Sequence, residues 1–301
     1  MKKFCLLLLM LLLLSGCREE LPASCWTENS AGLAYLDAEG MPVTGWQRIN
    51  GTTYYFDPGD HAMVTGWLSL PEGRFYFDGM GSLHTGWLEL PEGQFYMKED
   101  GAMAVGAVEL RGRMHYFTSE GAPFLLVNRW NPLPEDYEPQ LTELEGFWVA
   151  AECAPALKAM MQACRDAGHR CVINSAYRDI AFQRMLWDNR YNGYLSQGYT
   201  PEEAADLSAQ IVLPPGTSEH HTGLAIDITG TEEMYCWLAE HAPEYGFILR
   251  YPEGKTGYTG VSYEPWHFRY VGTALAQELQ ALDMIPEEYF AEYLPLLTSG
   301  R

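Results

Sequence analysis

Residues 64–87 read "VTGWLSLPEGRFYFDGMGSLHTGW", and this stretch contains its own beginning again at its end. Thr65-Gly66-Trp67 returns as Thr85-Gly86-Trp87, with an aromatic run Phe75-Tyr76-Phe77 between them. Outward in both directions the step persists. Thr44-Gly45-Trp46 precedes it, and a degenerate Val105-Gly106-Ala107 follows. The aromatic runs Tyr54-Tyr55-Phe56, Phe95-Tyr96-Met97 and His115-Tyr116-Phe117 keep the same spacing, and "AYLDAEGMPVTGW" carries an earlier partial unit. Each unit reads as two short alternating strands joined by a glycine-containing turn. One hairpin cannot bury either of its faces, so neighbours must stack, and the period predicts an all-β solenoid.

The chain has 301 residues, enough for two modest domains. It opens with "MKKFCLLLLMLLLLSGC", a basic start, a short apolar run and small residues before Cys17. This predicts a signal segment over 1–16, too short for a comfortable membrane span. "LSGC" resembles the lipobox of bacterial lipoproteins, which implies lipidation of Cys17, a membrane anchor, and a place on the extracytoplasmic face in contact with the cell wall. The net charge is −21, and removal of Lys2 and Lys3 makes it more acidic still. A phosphate backbone would repel such a chain, so nucleic acid is not an expected partner. The remaining cysteines, Cys25, Cys153, Cys164, Cys171 and Cys236, show no CxxC spacing. Cys164 and Cys171 flank a helix-to-strand turn and could bridge or stay reduced.

The repeats resemble the cell-wall-binding repeats of choline-binding and glucan-binding proteins. That resemblance implies, for residues 26–123, a wall-binding unit with a polysaccharide or teichoic acid as ligand. Thr53, Arg74 and Gln94 stand where the choline-type unit carries a Trp ahead of its Tyr pair. A quaternary ammonium needs a cage of several aromatic faces, so choline itself is not the expected ligand.

"LLVNRWNPLPEDYEPQL" (125–141) ends the period, and from about 124 the pattern changes to helices and strands. "APALKAMMQACRDAG" reads as an amphipathic helix stopped by Gly168. In "TPEEAADLSAQI", Thr200, Pro201 and Glu203 form a capping-box start. "LAIDIT", "GFILRY" and "HFRYV" read as short strands. Residues 124–301 are expected to form an α+β domain with its own core.

"GTSEHHTGLAIDI" (216–228) sets His220 and His221 ahead of Asp227, and "EPWH" carries Glu264 and His267. A zinc hydrolase needs three protein ligands and one open position. An extended chain from the histidines to Asp227 would span about 20 Å, so the backbone must turn back, most simply at Thr222-Gly223. Local physics leaves His220 and His221 equivalent as ligand candidates.

Ser218, His220, Gly223, Ala225 and Asp227 fall on the S-x-H-x-x-G-x-A-x-D signature of the VanY-type D-alanyl-D-alanine carboxypeptidases, and His221 falls on a variable position. Glu264-Pro265-Trp266-His267 matches that family's E-x-W-H motif. Ser175, Tyr177, Arg178 and Gln183 match its S-x-Y-R motif and the Gln that follows. The resemblance implies an α+β zinc peptidase acting on peptidoglycan stem peptides. His220, Asp227 and His267 would hold Zn²⁺, Glu264 would be the general base, and Arg178 would recognise a terminal carboxylate or a developing oxyanion. Ser175, Tyr177, Gln183, Ser218 and Trp266 would complete the substrate site. An L,D-carboxypeptidase, an endopeptidase, and a non-catalytic wall-binding lipoprotein are the alternatives.

Overall fold

The computed structural model describes residues 24–295, so the signal segment and Cys17 lie outside the described residues. The chain divides into two compact units. The N-terminal unit runs to Leu88 and includes Met97–Met103. The C-terminal unit comprises Glu89–Tyr96 and the chain from Ala104 onward.

In the N-terminal unit, β1 (Cys25–Glu28) pairs with β2 (Leu33–Leu36), β3 (Gly45–Ile49) with β4 (Thr52–Phe56), and β5 (Gly66–Leu70) with β6 (Gly73–Phe77). The period puts each tryptophan opposite a tyrosine: Trp26 faces Tyr35, Trp46 faces Tyr55 and Trp67 faces Tyr76. The same rings reach the next hairpin. Trp26 meets Tyr54 edge-on at 5.1 Å, and Trp46 meets Phe75 edge-on at 4.8 Å, both favoured aromatic geometries. Backbone bonds repeat at the same step, from Met63 N–H to Leu33 O, Leu83 N–H to Thr53 O and Met103 N–H to Arg74 O. Burial is therefore shared between neighbours, as solenoid packing requires.

β7 (Gly86–Leu90) and β8 (Gly93–Met97) carry the division between the units. The last repeat, β9 (Gly106–Leu110) and β10 (Arg113–Phe117), forms a three-stranded sheet with β11 (Pro123–Phe124). It belongs to the C-terminal unit. The reason is packing: Val105, Tyr116 and Phe124 share a core with Leu275, Leu279, Tyr289 and Phe290. Ala107 stands opposite Tyr116, where earlier repeats place tryptophan.

The rest of the C-terminal unit is α+β. A hairpin of β12 (Leu141–Leu144) and β13 (Phe147–Ala150) leads into α1 (Ala154–Asp166). The main sheet runs in the order β14 (Val172–Ser175), β15 (Ala225–Thr229), β17 (His267–Tyr270), β16 (Phe247–Leu249), all antiparallel. Leu157, Met160, Met161 and Cys164 of α1 pack beneath Ile173, Ile226, Ile228 and Phe268, with Met234 and Leu238 of α4 (Glu232–His241). Between β14 and β15 come α2 (Ile180–Ser196) and α3 (Pro201–Ala209), the latter with the expected Thr200–Glu203 capping box. The chain closes with α5 (Thr256–Thr259), α6 (Thr273–Leu282) and α7 (Pro286–Glu288). Cys164 and Cys171 are free thiols hydrogen-bonded to each other, and burial pushes Cys171 up to about 12. No helix among the described residues is long and apolar enough to cross a membrane.

Candidate active site

Three adjacent strands set the site. Asp227 on β15 lies in register with Ser175 on β14 and with His267 at the start of β17. His220 arrives from a single 3₁₀ turn, Glu219–Thr222, capped at its start by Ser218 Oγ. Gly223 then reverses the chain with φ +72°, and a Cβ there would meet the Ala150 backbone nitrogen at 2.8 Å. Only glycine suits that left-handed, crowded position. The turn brings His220 Nε2 to 3.3 Å from Asp227 Oδ2, and His267 Nδ1 stands 3.0 Å from Asp227 Oδ1.

The two adjacent histidines have different surroundings. His220 Nδ1 lies 2.6 Å from the Ala176 carbonyl, so it carries the proton and leaves Nε2 as a free lone pair toward Asp227. His221 uses both nitrogens: Nε2 accepts from Gly216 N–H, so Nδ1–H donates to Arg178 O. Its ring ties two loops together and offers no lone pair to an ion.

His220, Asp227 and His267 are all buried, and their ligand atoms lie within 4.8 Å of one another. Asp227 Oδ1 has no aligned hydrogen-bond partner among the described residues despite its proximity to His267. Two imidazoles and a carboxylate turning lone pairs onto one point make the donor set of a catalytic zinc site with one position open. The residues present fit that ion.

Glu264 is buried, with Oε2 3.7 Å from His267 Nδ1, and desolvation raises its carboxyl to about 7. Arg178 is held at three points: Nε to Ser175 Oγ, Nη1 to Gln183 Oε1, and Nη2 to Asp227 Oδ2 at 2.6 Å. Burial lowers its pKa from the ordinary guanidinium value, opposed by the Asp227 charge. Gln183 is also engaged at its other end, donating Nε2–H to Leu213 O, so it braces the arginine. Ser175 likewise faces Arg178. Tyr177 is not among the residues lining the cleft, and its backbone N–H is bonded to Trp148 O.

The cleft has a volume of about 250 Å³. Arg178, Ser218, Glu264 and Trp266 line it beside the three ligand candidates, and Leu186, Val212 and Val261 form an apolar wall. Sequence reasoning missed Tyr251, whose ring packs 4.8 Å from that of His267, and the Glu219–Arg250–Arg269 cluster behind the site. Two arginines inside otherwise apolar strands, "GFILRY" and "HFRYV", were the available signal for that cluster.

Residues 146–273 match the family VanY, D-alanyl-D-alanine carboxypeptidase, and residues 43–86 match the choline-binding repeat. The bifunctional D-Ala-D-Ala dipeptidase and D-Ala-D-Ala carboxypeptidase VanXYC of Enterococcus gallinarum is 33% identical over 184 residues, covering 54% of this chain and 91% of that protein. The chain belongs to the VanY D-alanyl-D-alanine carboxypeptidase family. A second VanY-family relative, the D-alanyl-D-alanine carboxypeptidase of Enterococcus faecalis, is 39% identical over 172 residues, or 55% of this chain. The match spans 64% of that relative's length. Among solved structures, a variant of the vancomycin resistance D,D-pentapeptidase VanY from a VanB-type resistance cassette, in complex with Zn(II), superposes with a TM-score of 0.52 at 39% identity. It covers 55% of this chain and 97% of that one. The Zn(II) of that neighbour is the ion that the donor set of His220, Asp227 and His267 fits here.

Proposed function

We propose that the protein is a zinc carboxypeptidase that removes the C-terminal D-alanine from peptidoglycan stem peptides while its repeats hold it on the wall. The observation that carries this reading is the convergence of His220, Asp227 and His267 beside Glu264 in a cleft closed on one side by Arg178. When bound, zinc supplies Lewis acidity, polarising a carbonyl and making water acidic enough to attack near neutral pH. His220, Asp227 and His267 would hold it.

Glu264 takes a proton from the attacking water at its carboxylate and passes it to the leaving amine, so the C–N bond breaks with one proton returned to nitrogen. Arg178 pairs with the substrate's terminal carboxylate. Its three partners engage three of its five N–H groups, leaving two for a ligand in a fixed fork. A cleft of about 250 Å³ suits the end of a peptide rather than a long stretch of chain. Trp266 and the apolar wall exclude water from the bond being cut.

For the repeats, a wall polysaccharide or teichoic acid is the ligand we favour. The Arg74 guanidinium lies 4.5 Å over the Trp67 ring, the place an exogenous ammonium would take. Lipidation at Cys17 would anchor the chain to the outer face of the membrane, and local concentration at the wall would aid a slow or weakly binding peptidase. Mass spectrometry of defined penta- and tetrapeptide stems after incubation with zinc-loaded protein tests the reading. Loss of one D-alanine from the pentapeptide is expected. Cleavage of the tetrapeptide alone would make it an L,D-carboxypeptidase, and no cleavage would make it a wall-binding lipoprotein.

A further inference from the structure

Behind His267 the buried Glu219 carboxylate is engaged on one side only. Its Oε1 accepts from Arg250 Nε at 2.8 Å and lies 3.4 Å from Arg269 Nη1. Arg250 is itself fully buried and continues to Glu287 through two hydrogen bonds, and Glu287 takes a third from Asn128. Among the described residues Glu219 Oε2 has no hydrogen-bond partner, and neither does His267 Nε2, which faces it at 3.8 Å. Two buried polar groups left open toward each other are costly, since each forgoes its solvation without a replacement bond.

The ring's orientation explains the pair. His267 Nδ1 points toward Asp227 and Glu264, and Nε2 points toward Glu219. A ligand histidine that gives Nδ1 to an ion must carry its proton on Nε2. A shift of about 1 Å brings that N–H within hydrogen-bond range of Oε2. Arg250 Nε donates to the opposite oxygen, with Arg269 Nη1 3.4 Å from that same oxygen, so Oε2 stays free to receive it.

We infer that Glu219 is a positioning residue, whose Oε2 accepts the Nε2–H of His267 and thereby sets the tautomer and angle of a zinc ligand. This rests on the zinc-site reading above. It extends that site through Arg250 and Glu287 to α7, so the C-terminal segment supports the metal centre without touching it.

The test uses the full chain. Zinc affinity, by competition with a chromophoric chelator, is compared for wild type, Glu219→Gln and Arg269→Met, with melting temperature measured alongside. Glu219→Gln should bind zinc about 10- to 100-fold more weakly. Arg269→Met should lose thermal stability with zinc affinity near that of wild type, because it touches only Oε1. In the zinc-loaded wild type, proton–nitrogen NMR should show a His267 Nε2–H that is far downfield and protected from exchange. That signal decides the matter even if Glu219→Gln fails to fold. Unchanged zinc affinity in Glu219→Gln, or a freely exchanging Nε2–H in the wild type, overturns the inference and leaves the zinc site standing. A wild-type protein that binds no zinc overturns both.

Discussion

The repeats and the peptidase unit are stabilised by opposite means. In the repeats the recurring contacts are between aromatic rings of one hairpin and the next, as with Trp46 against Tyr55, Phe75 and Phe77. In the peptidase unit the site is built from buried charge: Glu219, Asp227, Glu264, Arg250 and Arg269 are all less than a tenth exposed. Removing one aromatic ring from a stack takes away one increment among several similar ones. Removing one member of a buried charge cluster leaves its partners uncompensated, at a cost of about 3–5 kcal/mol for a broken pair. A graded response is therefore expected in the first region and an all-or-none response in the second.

The sharpest way to break that contrast is at the two adjacent histidines. His220→Ala should lose both zinc and activity. His221→Ala should keep zinc while losing about 1–3 kcal/mol of stability, because it leaves Gly216 N–H and Arg178 O without their partner. Metal analysis and denaturant melts of both purified variants measure this. Zinc lost from His221→Ala and retained in His220→Ala would reverse the assignment. Next in size, Glu264→Gln should keep stoichiometric zinc and lose about 10²–10⁴-fold in kcat. Near-normal turnover would remove Glu264 from the general-base role.

A smaller effect concerns the substrate terminus. Amidating the terminal D-residue removes the charge that Arg178 would pair, which should cost about 2–4 kcal/mol, or roughly thirty- to thousandfold in kcat/KM. Arg178→Ala should narrow the gap between free and amidated peptides. Equal wild-type rates on both would indicate an endopeptidase. The smallest effect belongs to the repeats. Millimolar choline should elute little of the full chain from purified cell wall, since Arg74 already covers the Trp67 face. Elution by choline would show that another face of the array accepts an ammonium. The full chain is the proper sample, because a cut at 123 would strip Val105 and Tyr116 from the core they share with Phe290.

The repeat array was legible because its contacts follow the period. Trp26, Trp46 and Trp67 each meet a Tyr nine residues on, so spacing alone identifies the pair. The capping box of α3 was legible for the same reason, since Thr200 and Glu203 are local partners. Which core the last hairpin packs into was not legible. β9, β10 and β11 keep the hairpin pattern but pack on residues 150 or more positions away, and no local signal announces such a core.

The sequence by itself determined which residue types could form the site and in what order they come, because the signature, the E-x-W-H motif and the glycine that turns the chain are local spacings. It left His220 and His221 equal on physical grounds, and resemblance alone separated them. Only the tertiary structure decided what each ring faces: Gly216 and the Arg178 carbonyl occupy both nitrogens of His221, while His220 keeps Nε2 toward Asp227. The same holds for Arg178, whose fork is set by Ser175, Gln183 and Asp227, and for Glu219, which no motif singled out. A hydrogen bond depends on distance and angle between atoms from distant segments, and those are settled only when the strands pair and the core closes.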